Sequence, residues 1–403
     1  MDENLSWKIV YIAAIFSLIV IGITYYFIAP RESPFFTEEK MERIAEFKNT
    51  RIFGRKEGQR LWKFFVAEGW TSKDQEITHL LKVSDGEIYQ KDKPVVADLV
   101  APRAQTYRHS EIVEAFGPPP LRAYLNLGRI SDPENKDRRE WARMTANHLK
   151  YVPAEKRSFL EGDVELHKKD SSIYAQKIII DHDRKVADIS GDIRLERKDG
   201  VLRADSLGYF SDEERLEADG NISLDIIEGK LETSIKCDHA SFFTDLNREM
   251  TLAGSLEAKQ GRKLALAREG IYSQNKNELA LKGEVRAIFE KAGVLLREDT
   301  GRNLKSPEAQ KILKEKTFLT SEKILFSTRS GDARAFGSVF VSQKGREAKS
   351  EQAVYNEKEE TLTLFGNVRM KRGKDWINAK KVIVSIKDET FEAVGAVEAE
   401  FEL

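Results

Sequence analysis

One cysteine, Cys237, stands in 403 residues, so an internal disulfide framework is excluded and so is a metal cluster built on cysteine. Charge of one sign is lacking too: 66 Lys and Arg face 67 Asp and Glu, a net charge of −1. A nucleic-acid binder would carry a basic excess. No Gly-rich phosphate loop, no His-x-x-x-His zinc helix and no Gly-x-Ser-x-Gly elbow occurs. The histidines, His79, His109, His148, His167, His182 and His239, are scattered. His182 lies between Asp181 and Asp183, a pairing read here as a solvated turn. No carboxylate pair stands out from the charged background. We therefore expect no catalytic residue, no metal site and no cofactor, and a binding or structural role. Proline is scarce after residue 150, where only Pro153 and Pro307 occur. Proline cannot donate to a strand ladder, so its absence suits a chain of paired strands.

What the sequence does have begins with Ile9–Pro30, 22 residues without a charge. At about 1.5 Å per residue this run spans a hydrocarbon core of roughly 30 Å. Trp7 at one end and Tyr25 and Tyr26 near the other suit interfacial anchors. The run is too long for a signal peptide and lacks a small-x-small cleavage site. Residues 1–30 are thus expected to be a single transmembrane anchor. Residues 31–50 read as a partly helical linker, with Met41, Ile44, Ala45 and Phe47 at helical spacing. Residues 51–145 read as a first β region, in which "RLWKFFVAEGW" and "LLKVSDGEIYQ" look like strand-turn-strand material and Pro118–Pro120 like a loop.

From residue 146 to 403 the chain repeats. Gly-x-aliphatic recurs at Gly162, Gly191, Gly220, Gly254, Gly283, Gly337, Gly366 and Gly395. Five of the seven gaps are 29 residues, and such a period implies stacked units. Eleven residues before the glycines stand Tyr151, Ile180, Tyr209, Phe243, Tyr272, Phe326, Tyr355 and Val384. Two residues after them stand Val164, Ile193, Ile222, Leu256, Val285, Val339, Val368 and Val397. Sixteen before, the residue is small except at Asp238. Alternate positions share a strand face, so each unit reads as two amphipathic strands with one oily face. Two facing sheets of about eight strands would make a body about 35–40 Å long. The glycines leave room on the inner face for a bend or for something else to lie there. One long gap is expected to hold a loop with a short helix, or a degenerate unit, at about 297–316, where Ser306-Pro307-Glu308 resembles a helix start. A packed interior would make the body a tethered spacer or scaffold; an open one would make it a greasy trough.

The anchor, "GQRLWKFFVAEGW" and units such as "AKSEQAVYNEKEETLTLFGNVRMKRG" (348–373) resemble the lipopolysaccharide-export proteins of the LptC and LptA (OstA-like) type, with LptC-like order. The resemblance implies an elongated, twisted, slotted two-sheet β-jelly roll after one N-terminal transmembrane helix. It implies a non-catalytic carrier that takes lipopolysaccharide from an inner-membrane ABC transporter, met through the anchor and first strands. The lipid would pass to an LptA-like periplasmic protein added as a strand at the C-terminal edge. The anchor would sit in the inner membrane and the body in the periplasm. Lipid-facing candidates are Tyr209, Phe243, Tyr272, Phe326 and Tyr355, with Ile193, Ile222, Leu256, Val285, Val339 and Val368.

Overall fold

The structure is a computed structural model that describes residues 43–127, 141–198, 200–228, 231–245, 247–290, 316–343, 346–385, 390–395 and 397–400. The expected anchor and residues 297–315 of the expected insertion lie outside the described residues, and Lys316 opens a strand. Among the described residues there is no helix, and so none long and apolar enough to cross a membrane.

The strands of the first region are β1 Arg43–Lys56, β2 Gln59–Ser72, β3 Ile77–Gln90, β4 Lys93–Tyr107 and β5 Val113–Leu125. The repeats supply β6 Ala142–Val152, β7 Arg157–Lys168, β8 Ser171–Asp181, β9 Val186–Arg197, β10 Gly200–Phe210, β11 Arg215–Glu228, β12 Leu231–Phe243, β13 Met250–Gln260 and β14 Lys263–Ser273. Beyond them come β15 Glu278–Glu290, β16 Lys316–Ser327, β17 Ala333–Gln343, β18 Arg346–Asn356, β19 Thr361–Arg372, β20 Asp375–Ser385, β21 Thr390–Val394 and β22 Glu398–Glu400. Each strand from β1 to β20 pairs antiparallel with the next, and β20 carries both β21 and β22. The ladder runs unbroken from β5 into β6, so the first region and the repeats share one sheet. The sheet does not close: no pairing joins β1 to β21 or β22.

Several expectations are corrected. Residues Arg43–Thr50 are strand, not helix, because pairing with β2 outweighs a short helical pattern. "RLWKFFVAEGW" and "LLKVSDGEIYQ" each lie within a single strand, and Asp85 makes a left-handed kink there rather than a hairpin turn. Pro118–Pro120 lie inside β5, at a register shift between Phe116 and Leu121 where no ladder donor is needed. The two expected sheets are two halves of one. In one row at about 4.8 Å each the repeat strands extend roughly 75 Å, not 35–40 Å, with β21 and β22 end to end on β20, and β1–β5 lengthen the ladder to roughly 100 Å.

The halves arise from a crease. Every pairing from β6–β7 to β19–β20 shifts register in mid-strand, as between Phe365 and Val368. There Gly366 has φ 77° and Asn367 φ 45°. Two left-handed residues in succession turn the strand sharply, and glycine takes the first at little cost. The same pair recurs at Gly162, Gly191, Gly220, Gly283 and Gly337. The missing side chain does not leave room inside. A Cβ on Gly366 would lie 2.5 Å from Glu351 Oε2 and 2.9 Å from Glu351 Cβ, and Glu351 is exposed on the outer side. Asn147, Gln176, Asp205, Arg268 and Glu322 fill the equivalent places. Several clip the crease, as in Asn367 Nδ2 donating to Glu351 Oε1 at 2.6 Å and Asn221 Nδ2 to Asp205 Oδ2 at 2.7 Å.

Inside the fold, β9 presents Ala187, Ile189, Ile193 and Leu195 to the core while the intervening residues are largely solvated. Equivalent residues from Phe64 to Val382 form one continuous apolar core along the sheet. A single unit has no second layer on which to bury its oily face, so neighbouring units stabilise one another.

Candidate functional site

Opposite ends of an eleven-residue strand lie about 33 Å apart when the sheet is flat. Here they meet. Arg197, at the end of β9, donates from a guanidinium nitrogen to Phe243 O, at the end of β12, at 3.5 Å. Ser211 Oγ, in the β10–β11 turn, donates to Leu127 O beyond β5. Lys263 Nζ, at the start of β14, lies 2.7 Å from Glu357 Oε2, just past β18. The sheet is therefore folded along its crease into two walls whose rims face each other across a slot.

Between the rims, around β6–β12, lies a cavity of about 460 Å³. Its floor includes Leu166, Leu195, Tyr209, Leu216 and Phe242, with Ile173 half-buried at the side. Lys168, Lys169, Arg197 and Lys198 stand on one rim and Glu214 and Asp245 on the other. The volume falls within the roughly 300–1,000 Å³ range of small-ligand sites. An apolar floor beneath a charged mouth suits an amphiphile: each buried methylene contributes about 0.8 kcal/mol, and a polar head stays in water.

The residues singled out from the sequence fare unequally. Ile193, Ile222, Leu256, Val285, Val339 and Val368 are all buried on the inner face, as are Tyr209, Tyr272 and Phe326. Tyr355 is half-buried. Phe243 is a correction. Its neighbour Phe242 takes the inner place, and Phe243 lies half-buried on the other face under the Arg248 guanidinium. The unit spacing is 34 residues there, because β11 and β12 are longer and the β12–β13 turn is wider, so counting back from Gly254 misses by one. The same slip puts Cys237, not Asp238, in the small buried position. Burial pushes the Cys237 thiol up to about 11. Val397, on the free edge, is exposed.

Only Tyr209 of those candidates lines the cavity. Leu166 and Leu195 belong to the apolar column four residues after the glycine, a signal present in the sequence. Which units have parted rims has no sequence signal. Tyr272 and Val285, fully packed, would lose stability if replaced by bulky polar groups, so they cannot serve as binding-only variants.

His182 is also corrected. It does sit in the β8–β9 turn, but half-buried rather than solvated: its Nε2 lies 2.8 Å from Ser158 Oγ and its ring packs edge-on against Tyr151. Burial pulls its pKa down to about 4, against a smaller opposing effect of Asp181. Ser158 is fully buried and out of reach of a substrate.

Comparison with known proteins gives two findings. The family model for "LptA/(LptD N-terminal domain) LPS transport protein" matches residues 143–295 and again residues 234–390. The two matches overlap, as an internal repeat allows, and together span more than half of the chain. Among solved structures, a similar chain is LptH, the LptA-homologous periplasmic component of the lipopolysaccharide transport device of Pseudomonas aeruginosa. It is 9% identical, the match covers 42% of this chain and 95% of that one, and the TM-score is 0.21. No curated protein matches.

Proposed function

The chain belongs to the LptA/(LptD N-terminal domain) LPS transport protein family, and from that premise we propose that its creased sheet carries lipopolysaccharide, acyl tails in the slot and sugars outside. It is a carrier and not an enzyme. The observation that supports this reading is the cavity between the rims, apolar below and charged above. Transfer needs no covalent step, because burial of methylenes supplies the affinity.

The finer parts of the proposal follow the order of the chain. Residues 1–30 anchor the protein in the inner membrane in LptC-like fashion, and the anchor and first strands meet an ABC transporter that supplies the lipid. The body lies in the periplasm. Among the described residues β20 is followed at the edge by the short strands β21, which ends at the exposed Val394, and β22, which the exposed Val397 precedes. An open edge of this kind accepts a partner strand, here from an LptA-like protein. The inner columns, Ile193 to Val368 and the rings of Tyr209, Phe242, Tyr272, Phe326 and Tyr355, line the slot once its walls move apart.

A second reading has its own observation. Most inner side chains are packed to near-zero exposure, as in a solid spacer. The full chain, purified with its native lipids, discriminates. The carrier reading expects acylated glycolipid in its mass spectrum and cross-links from a diazirine-bearing C16 fatty acid to peptides 164–173 and 207–216. Ile173→Trp, which fills the cavity from its half-buried side, reduces those cross-links about tenfold, the effect of removing roughly 1.4 kcal/mol of binding, without lowering the unfolding midpoint. A wild-type chain with neither glycolipid nor cross-link would leave the spacer. Val394→Lys with Val397→Lys should abolish capture of an LptA-type partner while the body stays folded; undiminished capture would refute strand addition at this edge.

A further inference from the structure

Around β13–β18 the mouth of the slot is crossed by a compact set of polar ties. Lys263 Nζ donates to Gly331 O at 2.5 Å and to Glu357 Oε2 at 2.7 Å. The Lys263 side chain is 8% exposed, which is rare for an ammonium. Tyr355 lies beneath it, with the ring centre 5.6 Å from Nζ, and Phe289 from the opposite rim packs on Tyr355 at 5.2 Å. Gln260, on the same rim as Lys263, donates from Nε2 to Ser327 O at 3.1 Å and to Thr328 O at 3.3 Å. The hydrogen-bonded groups lie 67 to 94 residues apart in sequence and join rim to rim.

We propose that Lys263, with Gln260 beside it, is a latch that holds the slot shut between β13 and β18 and opens to let a lipid head pass. The inference rests on the lipid-carrier reading of the slot. A carried amphiphile keeps its head at the mouth while its tails lie within. Such a molecule moving lengthwise meets the ties directly, and tails alone cannot slip past them without the head. The cavity of about 460 Å³ lies on the N-terminal side of the ties, between β6 and β12.

The closed latch is also incompletely satisfied. Gln260 Oε1 is buried and has no hydrogen-bond partner. Opening would hydrate that oxygen and the ammonium, offsetting part of what the broken bonds contribute. Lys263 joins a main-chain carbonyl to a half-exposed carboxylate, contacts that water replaces once the rims part.

The test uses the full chain held in amphipol. Amide exchange is read at 327–333 and 356–361, and loading is read as cross-link yield from the diazirine C16 fatty acid against mixing time. Lys263→Met keeps the bulk and removes both bonds. It should speed exchange in the two turns and speed loading of peptides 264–289 by about tenfold, the scale of a lost charge-assisted hydrogen bond. Glu357→Gln, at a half-exposed site that leaves the Gly331 bond in place, should act in the same direction but less, and serves if Lys263→Met folds poorly. Faster exchange with unchanged loading would make the tie merely structural and overturn the latch. Unchanged exchange in both variants would overturn it as well. If the wild-type chain takes up no probe anywhere, including 164–173, the carrier reading itself has failed and the latch falls with it.

Discussion

Replacing Gly366 by alanine separates two reasons for keeping a glycine in mid-strand. A side chain in the left-handed region costs about 1–2 kcal/mol. Gly373, in the β19–β20 turn, has φ 61° and open space where a Cβ would stand, so Gly373→Ala incurs that cost alone. Gly366 has φ 77°, and its Cβ would lie 2.9 Å from Glu351 Cβ, an atom that cannot move without its backbone. Overpacking of this kind adds about 1–3 kcal/mol, so Gly366→Ala should cost about 2–5 kcal/mol in all. In a stacked array the loss is local. It is read as faster native-state amide exchange in β18 and β19, by a factor of about 30 or more. Glu351→Gly should recover the overpacking part, because it removes the facing Cβ. The reasoning fails if Gly366→Ala and Gly373→Ala weaken protection equally, or if Gly366→Ala leaves protection intact and only blocks fatty-acid loading. The second result would restore the idea that glycine makes room inside.

Two further outcomes follow from the packing. His182 has a folded pKa near 4 against about 6.5 unfolded, so between these values the unfolded chain binds more protons; stability falls as pH drops from about 6.5 to 4 and is flat above 7. The loss is about 3 kcal/mol at most, and denaturant midpoints of wild type and His182→Gln across that range measure it; parallel curves would refute the assignment. Phe242→Ala, at a buried position, should cost about 3–5 kcal/mol and Phe243→Ala about 1, as seen in urea unfolding, and the reverse order would mean that the register at β12 is misplaced.

Strand content and the two-strand unit were legible from residues alone. Alternation around Gly366 and its kin needs only a period of two, and the proline-poor stretch needs only the ladder's demand for donors. The polar residue fifteen places before most of the glycines, Asn147, Gln176, Asp205, Glu322 and Glu351 among them, was equally visible, and it explains the glycine better than any inner vacancy. Where the spacing stretched to 34, a column counted from the glycine named Phe243 in place of Phe242, because a register counted along the chain cannot see which strand lengthens. Local pattern says which face of a strand is oily; it does not say how far that face folds over. Contacts between Arg197 and Phe243, or Lys263 and Glu357, depend on the angle of a crease summed over several strands. Wall separation, the place of the cavity and the ties across the mouth were therefore decided by tertiary structure alone.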